Sequence, residues 1–166
     1  AMSSVSVLAP APGVPESHAV IRSAYEHGVS IQSEIEISYR LEQQRNNGPR
    51  PMVAITGTDG KTTTTLLVNA ILRTAGLRSE AVGNTDVPLI ESLDTDAQAF
   101  AVECSSFRLE HTERFRTQAS AWLNIAPDHL DWHSSYQMYF DAKAKMWANC
   151  LPTDVAVAPV DDVNIM

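Results

Sequence analysis

The sequence predicts an α/β fold in which a parallel sheet carries flanking helices and a phosphate-binding loop (P-loop) lies at its edge. The first observation is a short apolar and β-branched run, 52–56, which ends at a glycine turn and leads into a helix start. The second is the unbroken apolar character of 99–102 and 119–124, which is typical of strands buried on both faces of a parallel sheet. Helical patterns separate these runs, as the crossover connections of such a sheet require.

Length and composition limit the possible functions. The chain has 166 residues, of which 44% are hydrophobic, and this suits one compact domain or one and a half. Its 12 basic and 20 acidic residues give a net charge of −8, which argues against a nucleic-acid partner but not against nucleotide binding. Cys104 and Cys150 are far apart and lack metal-site spacing, so a reducing, cytoplasmic setting is expected. No apolar run approaches a membrane span and the start does not resemble a signal peptide, so no membrane partner is expected.

The first part of the chain reads as a partial Rossmann-like segment in the order strand, helix, strand, helix. Gly28 ends the first helix, and Ser33 with Glu36 forms a capping box that opens the second. Two strands alone make a poor sheet, so this part is expected to lean on the next domain or to be loosely ordered. Residues 46–49 are Asn-Asn-Gly-Pro, a composition typical of a loop, and they predict a boundary between two domains. The predicted domains are 1–48 and 49–166, and the elements of the first are strands at 5–9 and 29–32 and helices at 16–27 and from 33 to about 44.

The second part alternates strands and helices around the sheet. The helix after the glycine turn runs to about Ala75 and has an apolar face. Ser134 and Gln137 form a second capping box, which opens a helix that reaches about Asn149. Further strands are predicted at 79–82 and 155–158, and the apolar face of the first helix comprises Leu67, Ala70, Ile71 and Thr74.

The turn at 57–60 has the composition of a polyphosphate site. Backbone N–H groups in such a turn and the positive end of the helix dipole bind phosphate oxygens. Lys61 is expected to reach the outer phosphates and the Thr62 hydroxyl to bind Mg²⁺. The longer form of this loop has a glycine where this chain has Ile55, so a strand–turn–helix with a chance Gly-Lys pair is the alternative. The nucleotide-binding residues predicted here are Gly57, Thr58, Asp59, Gly60, Lys61, Thr62 and Thr63.

Three polar positions follow strand ends and are therefore expected at one edge of the sheet. Glu103 is interpreted as a carboxylate that orders Mg²⁺, with a dipole-stabilised acid at a helix start as the alternative. Asn84 reads on spacing alone as an ordinary turn residue after glycine. His129 lies between two acids in a loop, which fits a hard-metal neighbourhood, although the residues alone favour a solvated acidic loop.

One lysine lies on the apolar side of the last helix. Lys143 points along the centre of the stripe that contains Tyr139 and Met146, whereas Lys145 points to solvent. Burial lowers the pKa of an amine, and the residues alone favour a lysine that snorkels to the rim or pairs with an acid. A desolvated amine near Mg²⁺ would also react with CO₂ and give a metal-binding carbamate.

These motifs resemble those of the Mur ligase family. The loop TGTDGKTTTT is similar to its shortened ATP loop, which usually has Asn at the position of Asp59. The segments 103–110, 124–131 and 139–146 resemble further motifs of the family. The first of these segments, together with the first part of the chain, is similar to the branch that adds D-glutamate. The departures from the family pattern are Asp59, Thr85, Asp86, Arg108 and Trp132.

The resemblance implies an ATP-dependent ligase of peptidoglycan precursor synthesis that joins D-glutamate to UDP-N-acetylmuramoyl-L-alanine through an acyl phosphate. It implies two Mg²⁺ sites, one held by Thr62 and Glu103 and one by His129 and a carbamylated Lys143. It also implies that this chain is a fragment, inactive alone, of an enzyme that is a monomer at full length. The catalytic residues implied are Lys61, Glu103, His129 and Lys143, and the contacts to the muramoyl substrate are Asn84 and Ser105.

Three alternatives stay open. Another branch of the family would add L-alanine, a diamino acid or glutamate to folate, and the segment 107–110 argues against it. A nucleotide-binding fragment without catalysis is expected for this chain by itself. A P-loop switch protein is disfavoured by Ile55 and by the lack of a guanine-reading motif.

Overall fold

The computed structural model describes residues 4–162 and 164–165, in which five parallel strands form one sheet and two strands form a separate parallel pair. The predicted α/β fold with a parallel sheet and flanking helices is confirmed. The strands are β1 (Val7–Leu8), β2 (Ser30–Ile31), β3 (Met52–Thr56), β4 (Ser79–Gly83), β5 (Ala99–Glu103), β6 (Ala119–Trp122) and β7 (Val155–Val157). The helices are α1 (Ala19–Glu26), α2 (Glu34–Glu42), α3 (Lys61–Thr74), α4 (Ser106–Glu110) and α5 (Tyr136–Ala144), with 3₁₀ helices at Leu89–Asp94 and Lys145–Trp147. The order in the large sheet is β4-β5-β3-β6-β7, and β1 pairs with β2.

The register of the large sheet brings the carboxyl ends of its central strands to one edge. In this register Ile55 of β3 and Gly83 of β4 both lie opposite Glu103 of β5. On the other side of β3, Thr56 lies opposite Trp122 of β6. All five residues of β5 are buried, because the strand is apolar and lies between two other strands. Ligands of open α/β sheets bind at the edge where these strands end.

The crossover connections place helices on both sides of the sheet. The connection through α3 runs in one direction along the sheet and those through α4 and α5 run in the other, so right-handed crossovers put α3 on the opposite side from α4 and α5. The Ser120 hydroxyl accepts a hydrogen bond from Trp147 Nε1 at 2.8 Å, which places Ser120 on the α5 side. Because side chains alternate along a strand, Ala119 and its partner Val155 lie on the α3 side.

The carboxylates of α2 join the first part of the chain to the second. Of the two expectations, contact with the rest of the chain or loose order, the structure shows the contact. Glu36 is completely buried and accepts hydrogen bonds from the backbone N–H groups of 113–115 at 2.9 to 3.1 Å. Glu42 accepts a hydrogen bond from the Arg50 guanidinium at 2.7 Å, and both side chains are buried. Burial alone would raise the pKa of Glu42, but the hydrogen bonds and charge of Arg50 hold it below its ordinary value. Ile35 of the same helix joins the hydrophobic core of the large sheet.

The first predicted capping box is wrong. Ser33 does precede α2, but its hydroxyl makes no hydrogen bond to a backbone N–H of the helix. The Glu36 carboxylate does not turn back to the helix start, because the amides of 113–115 and the Arg40 guanidinium engage it. A contact from a segment far along the chain therefore replaces the local cap.

The second predicted capping box is wrong by one residue. Ser135 and not Ser134 caps α5, because its hydroxyl accepts the Met138 N–H at 3.2 Å. The Gln137 side chain instead donates to Asp141 at 2.8 Å along the surface of the helix. The helix is also shorter than predicted and continues as a 3₁₀ turn.

The apolar face predicted for α3 points to solvent. Leu67 is 59% exposed and Ile71 is 58% exposed, whereas Thr65 is fully buried. The helix packs with its opposite side on β5, β4 and β3. Among residues 4–162 and 164–165, the helices are too short or too polar to cross a membrane.

Candidate active site

The glycine turn after β3 leads directly into α3 and opens the N-terminus of that helix to the edge of the sheet. Gly60 precedes the helix with φ of 79°, a left-handed conformation that glycine adopts without steric cost. Lys61 Nζ donates to the carbonyl oxygens of Gly57 at 3.1 Å and Thr58 at 2.8 Å, so the ammonium lies over the turn. The first N–H groups of α3 have no partner within the helix and carry the positive end of its dipole. This end of the helix is suited to bind a phosphate group.

Asn124, which follows β6, holds the turn in this shape. Its Oδ1 accepts the backbone N–H of Thr58 at 2.9 Å and of Asp59 at 3.0 Å, and its Nδ2 donates to the Asp59 carbonyl at 3.1 Å. Two of the amides predicted to face phosphate are thus bonded to the protein, and the amides at the start of α3 are the ones available. Sequence reasoning did not assign Asn124 to the site. Its position after a buried strand was the signal that could have identified it.

Tyr139 connects α5 to the same turn. Its hydroxyl lies 3.0 Å from the Thr58 hydroxyl, which also accepts the Ala126 N–H at 2.9 Å. Burial raises the pKa of Tyr139, so the phenol is neutral at pH 7 and can donate this hydrogen bond. The sequence analysis placed Tyr139 in the apolar stripe and in the motif 139–146 but did not assign it to the site, because nothing local indicates the partner of its hydroxyl.

Lys143 lies inside the protein, as its place in the apolar stripe predicts. Its side chain is 1% exposed, and Nζ donates to the Gly57 carbonyl at 2.7 Å and lies 4.7 Å from the centre of the Tyr139 ring. Burial, and secondly the charge of Lys61, lowers the pKa of Lys143 to about 7. Its partner is a carbonyl group and not a carboxylate, so it is not the acid-paired lysine that the alternative interpretation describes.

The prediction that Lys145 points to solvent is confirmed only in part. Lys145 Nζ donates to the Glu110 carboxylate at 2.7 Å, and its side chain is 35% exposed. This ion pair links the end of α5 to the end of α4, two elements that lie next to each other although they are distant in sequence.

Glu103 has the environment expected of a cation ligand. It is 2% exposed, its Oε1 accepts a hydrogen bond from Asn84 Nδ2 at 3.2 Å, and its Oε2 is buried without a partner among the described residues. A Cβ atom on Gly83 would lie 2.4 Å from the Glu103 carbonyl oxygen, so only glycine permits this close approach of β4 to β5. A buried carboxylate oxygen without a donor fits a bound cation.

The possible metal ligands at this edge are a carboxylate and hydroxyl groups. Within residues 4–162 and 164–165, no three side chains of His, Cys, Asp or Glu come together as a metal cluster. Mg²⁺ commonly uses one or two carboxylates and takes its other ligands from phosphate oxygens and water. Glu103 can supply such a carboxylate. The hydroxyls of Thr62 and Thr63 belong to exposed residues at the start of α3.

His129 is held in a strained turn near the same edge. Its φ of 51° is the only positive value of a non-glycine residue in the described part of the chain. Its N–H donates to the Asp128 carboxylate at 2.8 Å, and its carbonyl accepts the N–H groups of Trp132 and His133. The imidazole packs 4.8 Å from the Phe107 ring. Backbone strain of this kind persists where surrounding contacts enforce it, and it is often found at functional sites.

One cleft brings together five of the twelve predicted site residues. Glu103 adjoins the cleft through its hydrogen bond to Asn84. The six other predicted residues lie outside the lining, and they are Gly57, Thr58, Asp59, Gly60, Thr62 and Thr63. Ser105 also caps α4, since its hydroxyl accepts the Arg108 N–H at 3.4 Å. The residues that line the cleft are Lys61, Asn84, Ser105, Ser106, Phe107, His129, Tyr139 and Lys143.

Several known proteins are similar to this chain over most of its length. Residues 55–166 match the family described as the Mur ligase middle domain. The UDP-N-acetylmuramoylalanine–D-glutamate ligase of Natranaerobius thermophilus is 37% identical over 164 residues, which cover 97% of this chain and 36% of that enzyme. The ligase of the same name from Alkaliphilus oremlandii is 43% identical over 156 residues, covering 93% of this chain and 33% of the relative. The chain therefore spans about a third of the length of these relatives.

Solved structures show the same fold at lower identity. A UDP-N-acetylmuramoyl-L-alanyl-D-glutamate–2,6-diaminopimelate ligase matches with a TM-score of 0.62 at 19% identity, over 96% of this chain and 40% of the other. The MurF ligase of Thermotoga maritima, solved in complex with ADP, matches with a TM-score of 0.62 at 18% identity, over 95% of this chain and 43% of the other. At these identities the similarity extends to the fold alone.

Proposed function

This chain belongs to the Mur ligase family, and from this premise we propose that it forms part of an ATP-dependent ligase that joins D-glutamate to UDP-N-acetylmuramoyl-L-alanine. The two relatives named for this activity are 37% and 43% identical to it over most of its length. Because the chain spans about a third of each relative, the activity is assigned to the whole protein that contains it. The two cysteines form no disulfide in the described part of the chain, which supports a reducing compartment, the cytoplasm.

The observation that carries this proposal is the single cleft at the edge of the sheet. Lys61 and the N-terminus of α3 offer positive charge there, Glu103 offers a carboxylate beside it, and Lys143 is buried next to the same turn. Cations and helix-terminal amides stabilise the charge of a phosphoryl group in transfer. The arrangement supports phosphoryl transfer from ATP to a carboxylate.

In the proposed reaction, the γ-phosphoryl group of ATP passes to the carboxylate of the muramoyl substrate and ADP is released. The D-glutamate amine then attacks the acyl carbon, loses a proton and displaces phosphate, which leaves an amide. Lys61 would exchange its hydrogen bonds to the Gly57 and Thr58 carbonyls for bonds to phosphate oxygens. Asn124 would keep the turn rigid, so that the amides of α3 meet the phosphates in a fixed geometry.

We assign Mg²⁺ to the side of the cleft that contains Glu103. Glu103 and the Thr62 hydroxyl would hold one ion, and His129 with a carbamylated Lys143 would hold or orient a second. Mg²⁺ would neutralise charge on the transferring phosphoryl group. The carbamate would form when the neutral Lys143 amine adds to CO₂ and releases one proton. Support for this assignment comes from the unpaired Oε2 of Glu103 and the burial of Lys143.

We place the muramoyl substrate against Asn84 and Ser105. Both residues line the cleft with Lys61, and the Asn84 amide is already oriented by Glu103 at 3.2 Å. This orientation would let the same side chain contact the sugar substrate while Glu103 contacts the metal ion.

The test is release of ADP by the complete gene product, with each amino acid offered in turn. We expect release that depends on D-glutamate and on UDP-N-acetylmuramoyl-L-alanine, and that Lys61→Ala abolishes. ADP release that depends on L-alanine, on a diamino acid or on a folate would assign the protein to another branch of the family.

A second function is proposed for the polypeptide of 166 residues by itself, namely nucleotide binding without turnover. The turn, Lys61 and Asn124 all lie within this chain, whereas the relatives with ligase names are about three times as long. Equilibrium dialysis with ATP and Mg²⁺ should show binding that Lys61→Ala weakens. Amide formation by this polypeptide would contradict the proposal.

A further inference from the structure

Two buried side chains beside the candidate active site, those of Ser106 and His133, form a hydrogen-bonded pair. Each residue is 1% exposed, and His133 Nε2 lies 2.9 Å from Ser106 Oγ. Ser106 is one of the residues that line the cleft, whereas His133 is not. The serine hydroxyl therefore connects the imidazole to the cleft.

Three aromatic rings hold the His133 imidazole in place. The imidazole is stacked on the Phe107 ring, with the centroids 5.8 Å apart and an angle of 3° between the planes. The Tyr139 ring lies 5.3 Å away and the Trp132 ring 4.5 Å away, both at steep angles to the imidazole. A buried ring that is packed in this way has little freedom to turn, so Nε2 stays directed at Ser106.

The surroundings of the imidazole decide which of its nitrogen atoms carries the proton. Burial lowers the pKa of His133, so the ring is neutral at neutral pH and has one N–H group. His133 Nδ1 is buried and has no partner among the described residues. A proton on Nδ1 would leave a buried N–H group unpaired, whereas a proton on Nε2 has the Ser106 oxygen as its acceptor. The imidazole is therefore the donor and Ser106 Oγ the acceptor.

This direction of the hydrogen bond leaves the Ser106 hydroxyl proton available for a second partner. Ser106 Oγ has no hydrogen-bond partner besides His133 in the described part of the chain. A hydroxyl that accepts one hydrogen bond can donate another. Because Ser106 lines the cleft together with Ser105 and Lys61, an oxygen atom that is bound in the cleft can accept this proton in a hydrogen bond.

We propose that His133 is a positioning residue of the ligase reaction, which orients the Ser106 hydroxyl toward the carboxylate of the muramoyl substrate. Ser106 is then a further catalytic residue, and it donates a hydrogen bond to a carboxylate oxygen beside the substrate contact proposed for Ser105. This hydrogen bond is charge-assisted, because its acceptor is an ionised carboxylate. The hydroxyl keeps its proton throughout, so the pair acts by orientation and not by proton transfer. The inference rests on the proposed ligase function, since it adds a contact to the same substrate.

The steady-state rate of ADP release by the complete gene product tests the substrate contact. Ser106→Ala should lower kcat/KM for UDP-N-acetylmuramoyl-L-alanine by roughly 10- to 100-fold, the worth of one hydrogen bond to a charged group. The KM for ATP should stay unchanged, because Lys61 and not Ser106 is proposed to bind the phosphates.

Variants of His133 test whether it acts through Ser106. His133→Phe keeps a ring in the aromatic packing and should lower kcat/KM for the muramoyl substrate by roughly 2- to 10-fold, because the hydroxyl remains but can turn away. His133→Gln should restore most of this loss, since its amide nitrogen can occupy the position of Nε2. In the Ser106→Ala background, His133→Phe should have no further effect on kcat/KM.

Ser79→Ala and His27→Gln are the matched controls. Ser79 is 4% exposed and its hydroxyl donates to Asn69 Oδ1 at 2.7 Å, but it lies at the start of β4, away from the edge where the strands end. His27 Nδ1 lies 2.8 Å from the Ser23 carbonyl oxygen at the exposed end of α1. Both variants should keep the wild-type kcat/KM, which shows that the loss of a buried hydroxyl or of an imidazole elsewhere is not sufficient.

The position of the imidazole proton provides a test that needs no turnover. Long-range ¹H–¹⁵N correlation spectra of the ¹⁵N-labelled chain distinguish the two neutral tautomers, and His133→Gln identifies the signals of His133 among the five histidines. We expect the proton on Nε2 in the wild type. A larger share should lie on Nδ1 in Ser106→Ala, where Nε2 has lost its acceptor.

Three results would overturn the proposal. They are a wild-type proton on Nδ1, an unchanged kcat/KM in Ser106→Ala, and a loss in Ser106→Ala that appears in the KM for ATP instead of the muramoyl substrate. Absence of ADP release by the wild type would contradict the proposed function and with it the substrate contact. The tautomer would still show whether His133 orients Ser106, so the two failures are distinguishable.

Discussion

The Lys143 amine is a buried titratable group whose charge makes stability depend on pH. Its pKa is lowered to about 7 by burial and by Lys61, whereas the unfolded chain titrates this amine near 10.5. Between these values the unfolded state binds more protons, so the free energy of unfolding rises with pH. The cost of the buried ammonium is fully present below pH 7 and is lost as pH rises through this window.

Replacement of this amine by an apolar side chain of similar length tests the linkage. We expect the stability of the wild type relative to Lys143→Met to increase between pH 7 and 10.5. Urea denaturation of both proteins across this range measures the difference. A difference that does not change with pH would show that the amine titrates normally in the folded state.

Carbamylation of Lys143 can be detected directly. In ¹³C-bicarbonate, the chain should give a carbamate carbonyl signal by NMR, because the amine is neutral in part at neutral pH and lies in a dry site. Lys143→Met should abolish the signal and Lys145→Met should retain it, since Lys145 is paired with Glu110. A signal that survives in Lys143→Met would assign the modification elsewhere.

Glu36 joins the first part of the chain to the second. Its buried carboxylate accepts the N–H groups of 113–115 and the Arg40 guanidinium. Glu36→Gln brings an NH₂ group against these donors, and we expect a loss of about 1.5–3 kcal/mol, the range for charge-assisted hydrogen bonds. Urea denaturation measures the loss. Glu113→Gln, which removes only the 69% exposed partner of Arg40, should cost less than about 1 kcal/mol.

At the scale of elements, the close contact between the ends of β4 and β5 decides whether the site forms. Gly83 has φ of 100° and approaches the Glu103 backbone so closely that a Cβ atom would lie 2.4 Å from its carbonyl oxygen. Gly83→Ala must separate the strand ends and displace Asn84 from the carboxylate. We expect a loss of stability that exceeds the cost of left-handed backbone strain alone, which is about 1–3 kcal/mol.

Gly76 offers a matched control for this substitution. Its φ is 89°, but a Cβ atom there would meet nothing within 4 Å. Gly76→Ala therefore carries the conformational strain without the clash. In thermal denaturation, the melting temperature of Gly83→Ala should be well below that of Gly76→Ala. Equal melting temperatures would mean that the strand ends adjust without a loss of stability.

The errors at helix starts also belong to the element scale. Ser33 and Glu36 have the spacing of a capping box, but amides more than 70 positions away engage the carboxylate. At α5, Ser134 and Ser135 are adjacent. The capping-box spacing to Gln137 predicted Ser134 as the N-cap, whereas Ser135 caps the helix. A local motif identified the place where each helix begins, whereas the tertiary contacts determined which atoms satisfy its first turn.

At the scale of the whole molecule, one side of the large sheet exposes apolar residues. Leu66, Leu67 and Ile71 of α3 are 53%, 59% and 58% exposed. Val155 and Val157 of the edge strand β7 are 56% and 55% exposed, and they lie on the same side of the sheet as α3. Exposed apolar surface of this kind is typical of an interaction surface.

The polypeptide of 166 residues should therefore bind apolar dyes while it is folded. We expect fluorescence of anilinonaphthalene sulfonate in its presence to fall in a Leu67→Lys, Ile71→Lys double variant, with an unchanged far-UV circular dichroism spectrum. Leu41→Lys, at a 47% exposed position on α2, is the control and should have little effect. Equal fluorescence in all three proteins would show that the α3 side does not bind the dye.

The sequence by itself determined the parallel sheet, the turn from β3 into α3, the inward direction of Lys143 and the family. These features depend on hydrophobic periodicity, glycine and turn chemistry, which act between neighbouring residues. Only the tertiary structure decided that Asn124 binds the turn, that Tyr139 contacts Thr58 and that the apolar face of α3 points outward. The physical reason is that a buried polar atom bonds whichever group the strand register brings near it, and Asn124 and Asp59 are separated by 65 positions.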